Sequence, residues 1–471
     1  MKKKAAGREE MNKILFGSIF TKGIGAVIEI AIQILIIHFL NVDLYGTYGY
    51  YISMAEIGFW VFFSAFSKCN LFYCAKEGNS ISEFRKKYYL RYAAPIFAVL
   101  LVAASFAGDK KLFFVLGILL LEIFVFDKSS LMLAKSQYKE SILGEYCIGR
   151  MVLLVSVVLL GLLGRLNIRT LLCAYGFQYF AVLCYFMMVS RKKERLQEEV
   201  QQKVDVKKVG VFQYGDVLTG VIAKAPVILQ YLFVGAFEAG FVNLISLVRT
   251  LVSFVSGPTS KVFLPEFSRL YAKGDYKKIS SLFRMVIRMQ MMFLTAVGVC
   301  LIGFPSVILE IFSKDLLEYS NLLAGISACF LVGLSFGPCS GLMQMTNREK
   351  KDITIRSLSV VVMILTWILT RKSSMFVLIG IGVQILYENI VDYLYVSRIL
   401  GAAPVRFLQY LWMWIPMLLL LAFIKGFHVS QSFVHLVIAA AMSVLLYGIW
   451  MLMDSEMRAG IRQYMEKRKR G

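Results

Sequence analysis

The chain is predicted to be an all-α polytopic membrane protein of about 14 transmembrane helices, built as two pseudo-symmetric six-helix lobes plus two C-terminal helices. Three observations lead there. Of the 471 residues, 58% are hydrophobic and only 17% charged, against about 25% charged in soluble domains. Apolar runs such as Leu112 to Phe126 and Leu153 to Leu163 recur along the chain, and roughly 20 such residues of helix cross a bilayer core. The net charge of +22 is distributed one-sidedly between the runs.

Hydrophobic spans fall near 14–39, 45–66, 89–107, 112–133, 141–163, 171–190, 211–235, 241–264, 283–303, 322–345, 353–370, 375–397, 407–424 and 433–453. With the N-terminus placed in the cytoplasm, most of the 52 Lys and Arg lie in cytoplasmic segments or at their helix ends. This is the positive-inside asymmetry that orients membrane proteins, and it puts both termini in the cytoplasm of a cell-membrane protein. It also accounts for the basic charge without a nucleic-acid partner. Met-Lys-Lys-Lys opens a basic leader, but the apolar stretch after it is long enough to span and carries no small-residue cleavage site, so no cleavable signal peptide is expected.

The longest polar linker, Arg191 to Lys208, follows six spans and precedes eight. The expected domains are 1–190, a six-helix lobe; 191–210, a cytoplasmic linker; 211–397, a second six-helix lobe; and 398–471, two extra helices and a basic tail. An internal echo supports the division. Shifted by 194 residues, Ile34-Leu35 falls on Ile228-Leu229, Phe39 on Phe233 and Gly46 on Gly240, with Asp43 and Glu238 just before the two glycines. Repeated bundles of this kind are common in transporters. Glu266 to Ser280 interleaves apolar and charged residues and reads as an interfacial helix. Pro226, Pro258, Pro338 and Pro416 fall inside spans and are expected to bend or break them.

Charges inside spans are the informative residues, since they are costly in a bilayer and face a cavity or a partner. The cations are Lys22, Arg150, Lys224 and Arg249. They are the candidate substrate-binding residues, because a cavity lined by them suits an anion such as a diphosphate. Glu29, Glu56 and Asp216 are candidate coupling or cavity acids, with Glu122 and Glu388 also near mid-span. Internal pairing that merely neutralises each charge remains the alternative. The eight cysteines show no C-x-x-C spacing, and His38, His428 and His435 are isolated, so neither a metal site nor a catalytic residue is expected. No Walker loop, G-x-G-x-x-G or H-E-x-x-H occurs, and no cofactor is implied.

The segments VGAFEAGFVNLISLV (234–248) and FLPEFSRLYAKGDYKKI (263–279), with Leu15-Phe16-Gly17-Ser18, Ile34-Leu35 and Phe39 to Tyr48, carry a resemblance. The chain resembles the polysaccharide flippase family of the multidrug/oligosaccharidyl-lipid/polysaccharide exporter superfamily. The resemblance implies two six-helix lobes facing a central cavity and alternating access. It implies movement of an undecaprenyl-diphosphate-linked sugar to the outer leaflet, with membrane lipids and polysaccharide assembly proteins as further partners. Related lipid II flippases carry essential cations in the first and eighth helices, where Lys22 and Arg249 stand here. The chain departs from the pattern where Glu56 replaces a second-helix cation, and where Lys224-Ala225-Pro226 replaces a mid-helix Asp of the seventh span. The other functions compatible with the residues are a lipid II flippase, an ion-coupled multidrug exporter, and a membrane polysaccharide polymerase or glycosyltransferase. The short external loops leave that last enzyme class little room for a catalytic domain.

Overall fold

The computed structural model describes residues 2–74, 79–135, 137–193, 200–201, 204–253, 267, 270–271, 273–346, 348–399 and 414–453. They are almost entirely helical. The helices are α1 (Lys2–Leu40), α2 (Val42–Phe62), α3 (Ser64–Tyr73), α4 (Ser82–Tyr88), α5 (Ala94–Ala107), α6 (Lys111–Ala134), α7 (Tyr138–Leu143), α8 (Gly149–Leu162), α9 (Ile168–Lys193) and α10 (Val206–Phe233). They continue as α11 (Ala236–Val252), α12 (Tyr276–Gly303), α13 (Pro305–Phe312), α14 (Ser320–Ser335), α15 (Cys339–Met345), α16 (Glu349–Thr370), α17 (Phe376–Ile399), α18 (Ile415–Gly426) and α19 (Phe433–Met453). The only extended pairing among the described residues joins Asn79–Ser80 to Val200–Gln201.

Every expected span contains helix. Among the described residues nine helical stretches are long and apolar enough to cross a membrane, and two shorter apolar helices follow them. The chain is a multi-pass membrane protein. The remaining spans differ for identifiable reasons. Helix α2 is rich in Tyr and Gly, α6 carries Lys111, Glu122, Asp127 and Lys128, and α11 is 17 residues long. Large apolar side chains such as Phe106, Leu162 and Leu369 stand exposed, as a lipid-facing surface requires.

Local chemistry sets the breaks. Asn41 adopts φ 91 between α1 and α2, and its side chain accepts from the Leu44 N–H at 2.9 Å, capping α2. Pro226 is tolerated inside α10. Gly337 takes φ 83, a conformation that glycine adopts without strain, and Pro338 precedes the restart at α15. Pro416 sits in the first turn of α18, where a missing N–H is harmless. Pro258 lies outside the described residues, as do residues 194–199 and 202–203 of the 191–210 linker and the tail beyond residue 453. The expected interfacial helix at 266–280 is described in part. Asp275 caps α12 by accepting from the Lys278 N–H at 3.2 Å, so the end of that segment belongs to the next long helix. Hydrogen bonds from the Lys278 ammonium and N–H hold the Asp275 carboxyl below its ordinary range.

By proximity the chain separates into two compact units: Lys13–Leu244, and Ile245–Gly471 together with Met1–Asn12. Within the first, α10 packs along α2. Also within it, the start of α2 meets the start of α11 backbone to backbone. A Cβ on Gly46 would overlap the Ala236 carbonyl oxygen, and one on Gly240 would lie 2.7 Å from the Val42 carbonyl oxygen. Under the 194-residue shift Gly46 maps to Gly240 and Val42 to Ala236, so the two contacts are the same contact exchanged. Gly49 abuts the side chain of Asn243, its own counterpart, 2.9 Å from a would-be Cβ. Such reciprocity is the signature of a two-fold relation.

Gly46→Ala is expected to destabilise the protein by about 1–3 kcal/mol or more, because backbone rather than a movable side chain blocks the methyl. Gly117 has open space at the same position, and Gly117→Ala should be neutral or stabilising by about 0.5 kcal/mol. Thermal melts of the two purified variants followed by size-exclusion chromatography compare them directly.

Candidate functional site: ion pairs within each unit

In the first unit, α2 and α10 run antiparallel in a continuous register. Gly220 has no side chain, and the Trp60 side chain fills that space, its Cγ 2.8 Å from where a Cβ would stand. One turn further along both helices, the Glu56 carboxylate and the Lys224 ammonium form an ion pair. Beyond it the rings of Tyr50 and Tyr231 stack with centroids 4.2 Å apart. Tyr175 of α9 donates its hydroxyl to Glu56 Oε1 at 3.2 Å. Glu122 of α6 is 3% exposed and in electrostatic contact with both Glu56 and Lys224. Asp216, two turns before Lys224 on α10, is buried.

A second cluster joins α1 to α8. Arg150 Nη1 donates to the Gly25 carbonyl oxygen at 2.8 Å and lies 3.4 Å from Glu29 Oε2. Gln33 donates to the other Glu29 oxygen at 2.6 Å. The Tyr146 ring carries Lys22 Nζ at 5.0 Å and the Arg150 guanidinium at 5.6 Å, both within cation–π range. Tyr146 belongs to a π-helical turn, Gly144–Ile148, a geometry that inserts an extra residue into a helix and is frequent at functional sites.

In the second unit, Arg356 of α16 is the centre. It lies 3.5 Å from Glu388 and 3.7 Å from Asp352, and donates to Ser340 at 3.0 Å. Glu388 accepts from Ser359 at 3.0 Å and from Gln384. Asp392 is buried one turn beyond Glu388. Arg249, half-buried on α11, is attracted by Glu388 and repelled by Arg356.

The structure thus brings Lys22, Glu29 and Arg150 together, and separately Glu56 with Lys224. Asp216 stands apart from Lys224 by its helical spacing, and Arg249 belongs to the other unit. Sequence reading missed Tyr146 and Tyr175, and it missed Arg356, which lies near a span start. The i,i+4 spacing of Asp352 with Arg356, and of Glu388 with Asp392, was the available signal. Among the described residues no group of three or more His, Cys, Asp or Glu could hold a metal ion.

No family model matches the chain, and no curated protein matches it by sequence. Solved structures do. The lipid II flippase MurJ in an inward closed conformation is similar over 93% of this chain and 99% of its own, at 14% identity and a TM-score of 0.64. The MATE multidrug transporter DinF-BH matches 83% of this chain and 95% of its own, at 14% identity and a TM-score of 0.54. A MOP superfamily transporter from Pyrococcus furiosus, described as having a binding pocket of reverse polarity, matches 83% and 96%, at 12% identity and a TM-score of 0.58. The chain therefore has the fold that these transporters share.

Removing one member of a half-buried ion pair strands the other charge in partly desolvated surroundings. Lys224→Met is expected to cost about 1–3 kcal/mol of stability, between the exposed and the fully buried case, and Glu56→Gln added to it should restore much of the loss. A double-mutant cycle on thermal or denaturant unfolding measures the coupling; additive single effects would show the pair is not energetically coupled.

Proposed function

We propose that the protein is a flippase that moves a polyprenyl-diphosphate-linked oligosaccharide from the cytoplasmic to the outer leaflet by alternating access, for polysaccharide export. The observation that carries the reading is the set of cations held inside bilayer-spanning helices: Lys22, Arg150 and Lys224 in one unit, Arg249 and Arg356 in the other. A diphosphate leaving the interface loses water contacts and needs cationic donors to replace them. Arg150 and Lys224 are held by carboxylates of other helices, so an anion binds by competing with Glu29 or Glu56. A site for cationic drugs would need the acids without these cations. In this reading the lobes are 1–190 and 211–397, joined by the linker at 191–210, with 398–471 appended; the repeat, rather than proximity, defines them.

A lipid II flippase is the second reading. It is supported by the length over which the chain shares the MurJ fold, 93% of this chain. Sugar analysis of lipid-linked intermediates accumulating in a deletion strain separates the two.

Both termini and the linker are expected in the cytoplasm, and the turn at Asp43 outside. After replacement of the native cysteines, an impermeant thiol reagent should label a cysteine at Asp43 in intact cells but not one at Gln201. Strong labelling at Gln201 reverses the orientation.

Arg249→Ala should lower export of the lipid-linked sugar about tenfold or more, the worth of one lost charge-assisted contact, at normal protein level. Lys22→Ala should act in the same direction. Arg249→Lys should retain part of the function, since charge survives while the bidentate fork does not. Lys350→Ala, at an exposed helix start, is the matched control. Export at the wild-type rate in Arg249→Ala would remove Arg249 from the substrate path.

A further inference from the structure

Glu122 is unlike the other acids of the first unit. It lies in the middle of α6, only 3% of it is exposed, and its Oε2 has no hydrogen-bond partner among the described residues. Glu29 and Glu56, by contrast, each have a cation and a hydrogen-bond donor. An isolated carboxylate in surroundings of this kind is answered by a neighbouring cation or by a proton. The facing groups are few. Helix α2 presents Glu56 and α10 presents Lys224, both in electrostatic contact with Glu122. Helix α9 presents Tyr175 and Tyr179. Tyr48 of α2 and Glu29 of α1 act on the same cluster one step removed. Helix α5, packed on α6, has no titratable side chain. Two carboxylates therefore share one ammonium group, and Glu56 has the closer hold on it.

We propose that Glu122 and Glu56 form a proton-accepting carboxyl pair governed by Lys224, so that a diphosphate is bound together with one proton. The proposal rests on the diphosphate reading of the cations. When Lys224 turns toward the phosphates its ion pair with Glu56 breaks. The two carboxylates, on helices that pack together, are then left without a cation, and neighbouring like charges in buried surroundings do not both stay ionised. A proton from solution forms an O–H bond on one of them. The two titrate as a unit, and the proton belongs to the pair. The sign follows from linkage: a ligand that brings a proton with it binds more tightly as pH falls. The proton is released where the diphosphate is released, and the two cross together. It trims the negative charge carried through the bilayer and is not exchanged against the substrate.

The test uses the full chain in lipid nanodiscs and geranylgeranyl diphosphate as the probe. Titration calorimetry in buffers of different ionisation enthalpy counts the protons taken up. Wild type should take up close to one proton per probe bound, with affinity rising about tenfold per pH unit lowered in the titrating range. The isosteric Glu122→Gln should bind the probe with uptake and pH dependence largely abolished. Binding by wild type without proton uptake, or full uptake in Glu122→Gln, overturns the proposal. Infrared spectroscopy of the protonated carboxyl band, without ligand, is the second measurement. Lys224→Met imitates the withdrawn ammonium and should gain protonated carboxyl at neutral pH relative to wild type, and Glu122→Gln added to it should remove the gain. An unchanged band in Lys224→Met overturns the proton site. A Lys224-dependent band in a wild-type protein that binds no probe supports the proton site and overturns the diphosphate reading alone.

Discussion

The close register of α2 against α10 is the contact on which the rest of the first unit depends. Glycine at 220 lets the indole of Trp60 fill the neighbouring helix's groove, and that depth of approach sets where the next turn falls. With Trp60 seated, Glu56 and Lys224 meet, and further on Tyr50 stacks on Tyr231. A bulkier residue at 220 would push the helices apart, and the ion pair with them. Since desolvated charges are costly when unpaired, a steric detail at one glycine decides the electrostatics of the unit. Tyr175 and Glu122 are arranged around the same pair, so α6 and α9 inherit their polar chemistry from it.

Much of the fold was legible because a bilayer simplifies the physics. Backbone groups in hydrocarbon must be satisfied within the segment, so an apolar run of sufficient length is a helix. Each expected span contains helix among the described residues, and the break at Gly337-Pro338 follows from the conformational limits of those two residues. Helix α2 has a lower hydropathy because of its tyrosines and glycines, yet its run at 45–66 still reads as a span. The π-helical turn at Gly144–Ile148 has no sequence mark at all, since the residues are those of an ordinary helix. The individual charges were legible and their partners were not. Glu56 and Lys224 are 168 residues apart, and only the antiparallel register of their helices puts them side by side. Arg356 was passed over because a cation near a span start is ordinarily solvated, whereas here three carboxylates lie around it or beside it.

Cations that are already paired impose a particular kind of recognition. A bare lysine in a cavity would hold any anion that reached it. Lysine and arginine held by carboxylates release only to an anion that offers more than one oxygen in the right place, and the displaced acid must then be accommodated. Selectivity arises from the competition as much as from the contact. In the second unit Glu388 also accepts from serine and glutamine side chains, donors that under the proposed anion reading would remain to it if its arginine were engaged elsewhere.

The exchanged contacts of Gly46 with Ala236 and of Gly240 with Val42 have a geometric consequence. Each glycine faces a carbonyl on the opposite helix, at positions related by the internal repeat, while Gly49 and Asn243, each the other's counterpart, meet about one turn further along both helices. Sliding α2 along α11 would relieve one of the two close approaches only by tightening the other. The starts of the two helices are therefore held against sliding past one another in either direction.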